Sequence, residues 1–82
     1  LIAPGSRILE VGAGSGRLSA LLASDGHWLT CLDYTSEALE AARRNFAAAG
    51  VRGEFVQGDA FALPFSTGSF DAVFSTGLLE HY

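Results

Sequence analysis

Ile8-Leu9-Glu10-Val11-Gly12-Ala13-Gly14-Ser15-Gly16-Arg17-Leu18 decides how the chain is read. A short aliphatic run meets a turn with glycine at alternate positions, and an amphipathic run with Leu18, Leu21 and Leu22 follows. The pattern is strand, tight turn, helix. Glycine serves where backbone bends sharply, takes a positive φ or lets another group come close. Three glycines at a strand-to-helix junction point to a ligand lying against bare backbone. Free N–H groups and the helix dipole at that junction favour a negative group such as a phosphate or carboxylate. A tight βα turn with no ligand is the competing reading of this stretch taken alone.

Outward from the turn, Pro4-Gly5 marks a lead-in and Arg7 to Val11 reads as the first strand. Ile8, Leu9 and Val11 suit a strand covered on both faces, as in a parallel sheet. Ser15 to Ser24 is the expected first helix, with Leu18, Leu21 and Leu22 as its buried stripe beside Ala20 and Ala23. Asp25-Gly26 ends it. His27 to Leu32 is the second strand, with Asp33 at its C-terminal end. Thr35 or Ser36 caps the second helix, Glu37 suits its first turn, and Gly50 closes it. Leu39, Ala42, Phe46 and Ala49 recur at helical spacing on its core face.

Glu54 to Gln57 is the third strand, followed by Gly58-Asp59. Residues 60–69 read as a loop broken by Pro64, Phe70 to Ser75 as the fourth strand, and 77–82 as the start of another helix. The order β-α-β-α-β-loop-β implies an α/β architecture, a Rossmann-like open parallel sheet with flanking helices.

Composition narrows the function classes. The chain has 82 residues, enough for one domain, a net charge of −4 and 49% hydrophobic residues. That acidity argues against a nucleic-acid footprint in this segment, and the apolar fraction argues against disorder. No apolar run approaches the roughly 20 residues of a membrane span. A single cysteine, Cys31, fits a core position and a reducing, cytoplasmic setting, and no Cys/His cluster spells a metal site. The chain contains no Met and stops just after a possible helix start, so residues 1–82 are expected to be part of a longer domain.

Three acids share a place. Glu10, Asp33 and Asp59 each fall at or near the C-terminal end of an expected strand, and in a parallel sheet those ends form one rim. An ionised carboxylate only accepts hydrogen bonds. Asp33, roughly 20 residues beyond the glycines, is placed to accept the hydroxyls of a ribose. Asp59 can accept from an exocyclic amine, and the Ala60 backbone N–H can serve a ring nitrogen. Tyr34 and Phe61 offer apolar surfaces to a base, with core packing the alternative for each. The spacing Gly12-x-Gly14-x-Gly16 puts Arg17 where a dinucleotide fingerprint has its third glycine. Glu10 just before the turn repels a pyrophosphate and suits a cationic amine. The expected ligand therefore joins a nucleoside to an amino-acid-like tail.

These residues resemble the class I S-adenosylmethionine-dependent methyltransferases, and in particular their small-molecule branch. The resemblance is carried by Glu10 to Gly16, Leu32-Asp33, Gln57-Gly58-Asp59-Ala60, Leu63-Pro64-Phe65, Ser69-Phe70-Asp71-Ala72-Val73 and Leu78-Leu79-Glu80-His81. It implies an enzyme that transfers a methyl group from S-adenosyl-L-methionine to a small-molecule acceptor. By that resemblance, backbone at Gly12, Ala13 and Gly14 lies against the methionine part of the cofactor and Glu10 orients its amine. Asp33 holds the ribose hydroxyls, Tyr34 lies against the adenine, Asp59 and Ala60 read the adenine edge, and Ser75 presents backbone to the amine. Asp71 is structural. From the residues themselves, His81 is the one candidate base near the site, with a surface or capping role the alternative, and His27 belongs to the opposite rim.

The family's sheet has seven strands, of which this chain holds about four. A nicotinamide-dependent oxidoreductase or a non-catalytic scaffold on a related sheet is the alternative. A chain of this length buries a small share of its surface. Residues 1–82 in isolation are therefore expected to be marginal. A thermal melt should show no cooperative transition well above body temperature, and calorimetry no micromolar cofactor affinity.

Overall fold

The computed structural model describes residues 5–12, 14–59 and 68–75. Its elements run β1 (Arg7–Val11), α1 (Arg17–Ser24), β2 (Trp28–Asp33), α2 (Ser36–Ala49), β3 (Glu54–Gln57) and β4 (Ala72–Phe74). All three strand pairings are parallel, and the sheet order is β3-β2-β1-β4. The expected architecture is therefore present: a Rossmann-like parallel sheet flanked by helices. β2 starts and ends one residue later than expected, and β4 is shorter than the expected Phe70 to Ser75. The expected helix at 77–82, with His81, lies outside the described residues, as do Ala13, Ala60, Phe61 and Pro64.

Register fixes what each strand presents. β1 pairs with β2 from Arg7↔Trp28 to Val11↔Leu32, and with β4 from Ile8↔Ala72 to Glu10↔Phe74. Alternation along each strand then sorts the side chains onto two faces. Ile8, Leu29 and Cys31 pack with Ala20 of α1 and with Leu39 and Phe46 of α2. Leu9, Val11 and Leu32 form a second buried cluster on the other face, with Val56 and Phe70 against them. The two-sided apolar character of β1 thus reflects burial on both sides.

α2 behaves as its sequence predicts over most of its length. Thr35 is the cap, its hydroxyl accepting from the Ala38 N–H at 3.3 Å. Leu39, Ala42 and Phe46 are buried, whereas Ala49 is exposed, contrary to expectation. Ala49 sits in the final turn, on an open surface shared with Arg17, Leu21 and Ser24 of α1. Phe46 meets Phe55 edge-on, with ring centroids 5.1 Å apart, and the Arg43 guanidinium lies 5.3 Å from the Phe55 ring centre.

α1 departs from its pattern. It begins at Arg17, two residues late, and buries Ser19 and Ala20. Leu18 and Leu21 are 43% and 65% exposed. The helix is one that meets both the sheet and α2. Small side chains at 19 and 20 let it approach closely, and that turns Leu18 and Leu21 outward.

The N-terminal end of the sheet is held by polar contacts. Arg7 donates to Asp71 from its backbone N–H at 2.8 Å and from Nη2 at 3.3 Å. Hydrogen bonds from Arg7 hold the Asp71 carboxyl below its ordinary range. His27 also stands here, its Nδ1 accepting from the Ser6 N–H at 3.3 Å.

The Phe46 ring is the largest fully buried side chain and joins α2 to the sheet. Phe46→Ala in the full-length protein should lower stability by about 3–5 kcal/mol, read from the shift of a urea unfolding midpoint.

Candidate functional site

Because every strand runs the same way, the strand C-termini share one rim. Along it lie Asp59 beyond β3, Asp33 at the end of β2, Gly12 beyond β1 and Ser75 beyond β4. From β1 the chain steps to β2 and β3 on one side, and β4 then returns to the other side. The order therefore reverses between β1 and β4, the place where open α/β sheets form a ligand crevice. Gly12 and Ser75 flank that place: a Cβ on Gly12 would lie 3.9 Å from the Ser75 Oγ.

The glycine turn leaves β1 under restraint from three sides. The Gly12 N–H donates to the Leu32 carbonyl at 2.8 Å, prolonging the β1–β2 pairing past the strand. The Gly14 N–H donates to Asp33 Oδ2 at 3.2 Å. Asn45 of α2 donates from Nδ2 to the Ser15 carbonyl at 2.6 Å. Gly16 then opens α1 at φ +68°, and no side chain among the described residues caps that helix start. A Cβ at Gly16 would stand 2.8 Å from the Ala42 Cβ, so side-chain space is filled there. At Gly14, also at positive φ, the same Cβ would meet nothing within 4 Å. The turn is thus closed toward α2 and open at Gly14.

The three acids reach the rim by different routes. Asp33 is half-buried. Its Oδ1 accepts from the Thr35 N–H at 2.9 Å and the Thr35 hydroxyl at 3.1 Å, while Oδ2 accepts from Gly14. A carboxylate offers about four acceptor positions, so Oδ2 keeps one for a further donor. Asp59 is exposed, and Tyr34 beside Asp33 is 77% exposed. The Tyr34 carbonyl is held by Gln57 Nε2 at 3.1 Å, and the Asp33 carbonyl by the Gly58 N–H at 2.9 Å.

Glu10 lies deeper. It is level with Cys31 and Phe74, on the helix-covered face, and only 1% exposed. Its Oε1 accepts the hydroxyl proton of Ser19. Beside them, burial pushes the Cys31 thiol up to about 11; a hydrogen bond with Ser19 opposes the rise and the Glu10 charge adds to it.

The sequence-predicted residues Glu10, Gly12, Gly14, Asp33, Tyr34, Asp59 and Ser75 therefore stand along one rim, with Glu10 beneath it. Ala13 and Ala60 belong to the same expectation and lie outside the described residues. Ser19, Asn45 and Gln57 escaped the sequence reading as supports of the turn and the rim. None of the three carried a signal in the sequence: Ser19 lies off the expected stripe of Leu18, Leu21 and Leu22. A cavity of about 550 Å³ lies elsewhere, lined by Arg7, Trp28, Thr30, Arg52, Glu54 and Phe70, toward the N-terminal ends of the strands. Among the described residues no group of three or more His, Cys, Asp or Glu could hold a metal ion, and no helix is long and apolar enough to cross a membrane.

Comparison with known proteins gives a consistent answer. Residues 8–82 match the family described as Methyltransferase domain. The chain is 46% identical over 69 residues to a demethylmenaquinone methyltransferase of Clavibacter sepedonicus, a match covering 84% of this chain and 28% of that protein. It is 41% identical over 69 residues to a malonyl-[acyl-carrier protein] O-methyltransferase of Erwinia pyrifoliae, covering 84% of this chain and 25% of that one. A Thiobacillus denitrificans SAM-dependent methyltransferase, solved in complex with S-adenosyl-L-homocysteine, superposes with a TM-score of 0.79 at 32% identity. That match covers 93% of this chain and 32% of the solved one. The chain thus spans about a quarter of the length of the curated relatives it matches.

Gly14 and Gly16 should respond unequally to a methyl group. Gly14→Ala carries only the left-handed backbone penalty, on the order of 1–2 kcal/mol. Gly16→Ala adds the collision with Ala42, so its unfolding midpoint should fall further, by about 1–3 kcal/mol more.

Proposed function

The chain belongs to the class I S-adenosylmethionine-dependent methyltransferases, and from that membership we propose that residues 1–82 are the cofactor-binding part of an enzyme that methylates a small molecule. The observation that carries the reading is the rim itself: bare backbone at Gly12 and Gly14, next to an ordered carboxylate at Asp33, at the point where strand order reverses. The open space at Gly14 is what a group lying against backbone requires, and the carboxylates of the rim, which only accept when ionised, suit a ligand with donor groups.

S-adenosyl-L-methionine supplies an already activated methyl group on its sulfonium. The protein's share is to hold the two reactants in attacking geometry and to exclude water. Asp33 accepts from the ribose hydroxyls through Oδ2, its other oxygen being committed to Thr35. Tyr34 offers its exposed ring to the adenine, and Asp59 with the Ala60 backbone addresses the adenine edge. Gly12, Ala13 and Gly14 lie along the methionine part, with Ser75 across the crevice. Glu10 contributes negative charge from beneath the turn, where a low dielectric strengthens its attraction for the cofactor's amine. In this reading none of the rim acids acts in proton transfer.

The relatives' names carry different acceptors on a shared segment of this length, which supports a cofactor role for these residues. The acceptor is then chosen by the remainder of the protein. A cytoplasmic enzyme is the setting that the buried free thiol of Cys31 supports.

Isothermal titration of the full-length protein with S-adenosylhomocysteine and with NAD separates this reading from a nicotinamide-dependent one. S-adenosylhomocysteine should bind and NAD should not; the reverse preference would sink the proposal. Asp33→Asn, which halves the acceptor oxygens, should weaken S-adenosylhomocysteine by roughly 10- to 100-fold while circular dichroism stays unchanged.

A further inference from the structure

Ser19 takes one of the two buried places on α1, where a small apolar side chain would be expected. It is completely buried against the sheet. Alanine would fill nearly the same space there and suits a helix better than serine. A buried hydroxyl is costly unless it is hydrogen-bonded, and this one gives its proton to Glu10. The two residues are nine positions apart, and the glycine turn is the segment between them. The bond therefore spans the turn, tying the end of β1 to the first turn of α1.

We propose that Ser19 is a positioning residue for the amino-acid tail of the cofactor: it holds the Glu10 carboxylate beneath the turn and fixes the span that the turn must bridge. The inference rests on the cofactor reading given above. Two features sharpen it. Glu10 is almost wholly buried, so its influence on a ligand passes through its fixed position and charge, not through a mobile side chain at the surface. Cys31, paired in register with Glu10, has a thiol held neutral by burial, which leaves the carboxylate to set the charge of this cluster.

The test compares two ligands on the full-length protein. S-adenosylhomocysteine carries the amino-acid tail; 5′-methylthioadenosine keeps the adenosine and the sulfur but lacks that tail. Ser19→Ala should weaken S-adenosylhomocysteine by about tenfold and leave 5′-methylthioadenosine within about twofold of wild type. In a Glu10→Gln background the same change should cost S-adenosylhomocysteine less than about twofold, because the partner it positions has gone.

A Ser19→Ala protein that fails to fold, or that loses both ligands equally, would show a purely structural residue and overturn the proposal. So would an equal loss with and without Glu10. A wild-type protein that binds neither ligand would instead remove the cofactor reading on which the proposal stands.

Discussion

The bare Cα of Gly16 against Ala42 is the contact on which the arrangement of the rim depends. With 2.8 Å between an imagined Cβ and the Ala42 Cβ, only glycine lets α1 start so near α2. Once α1 starts there, Asn45 reaches the Ser15 carbonyl and the turn is held from the α2 side as well as from β1. The same closeness favours small side chains at 19 and 20, so Ser19 can approach Glu10. A turn that a ligand can use is thus shaped by helix packing behind it, and the glycines divide between packing at 16 and open backbone at 14.

Three carboxylates at equivalent strand ends have three different environments. Asp59 is open to water, Asp33 is half-buried and committed to three donors, and Glu10 is enclosed. Their graded burial matters because the strength of a charge depends on its surroundings. A carboxylate in water mainly exchanges one hydrogen-bond partner for another. An enclosed one acts on whatever cation lies nearby, provided its own partners are in place. Depth in the sheet, set by register, separates these roles.

The opposite end of the sheet is fastened more simply. Arg7 and Asp71 join β1 to the approach to β4, and Ser6 meets His27 ahead of β2. These contacts lie on the far side of the sheet from the crevice. The polar fastening of the sheet thus sits at the opposite end of the strands from the glycine turn.

Period and punctuation in the sequence determined the strand–turn–helix around Gly12 to Gly16, the alternation of strands and helices, and the placing of Glu10, Asp33 and Asp59 at strand ends. They also identified Leu39, Ala42 and Phe46 as the buried face of α2, because a 14-residue helix repeats its pattern often enough to fix its phase. The eight residues of α1 do not: apolar side chains fall on more than one face, and only the neighbouring sheet and α2 decided that Ser19 and Ala20 point inward while Leu18 and Leu21 do not. The tertiary structure likewise decided that β4 pairs with β1, and that Glu10 is sheltered beneath the turn with Ser19. Spacing along a chain records local geometry, whereas burial and strand order are settled by partners distant in sequence, whose identity no local pattern contains.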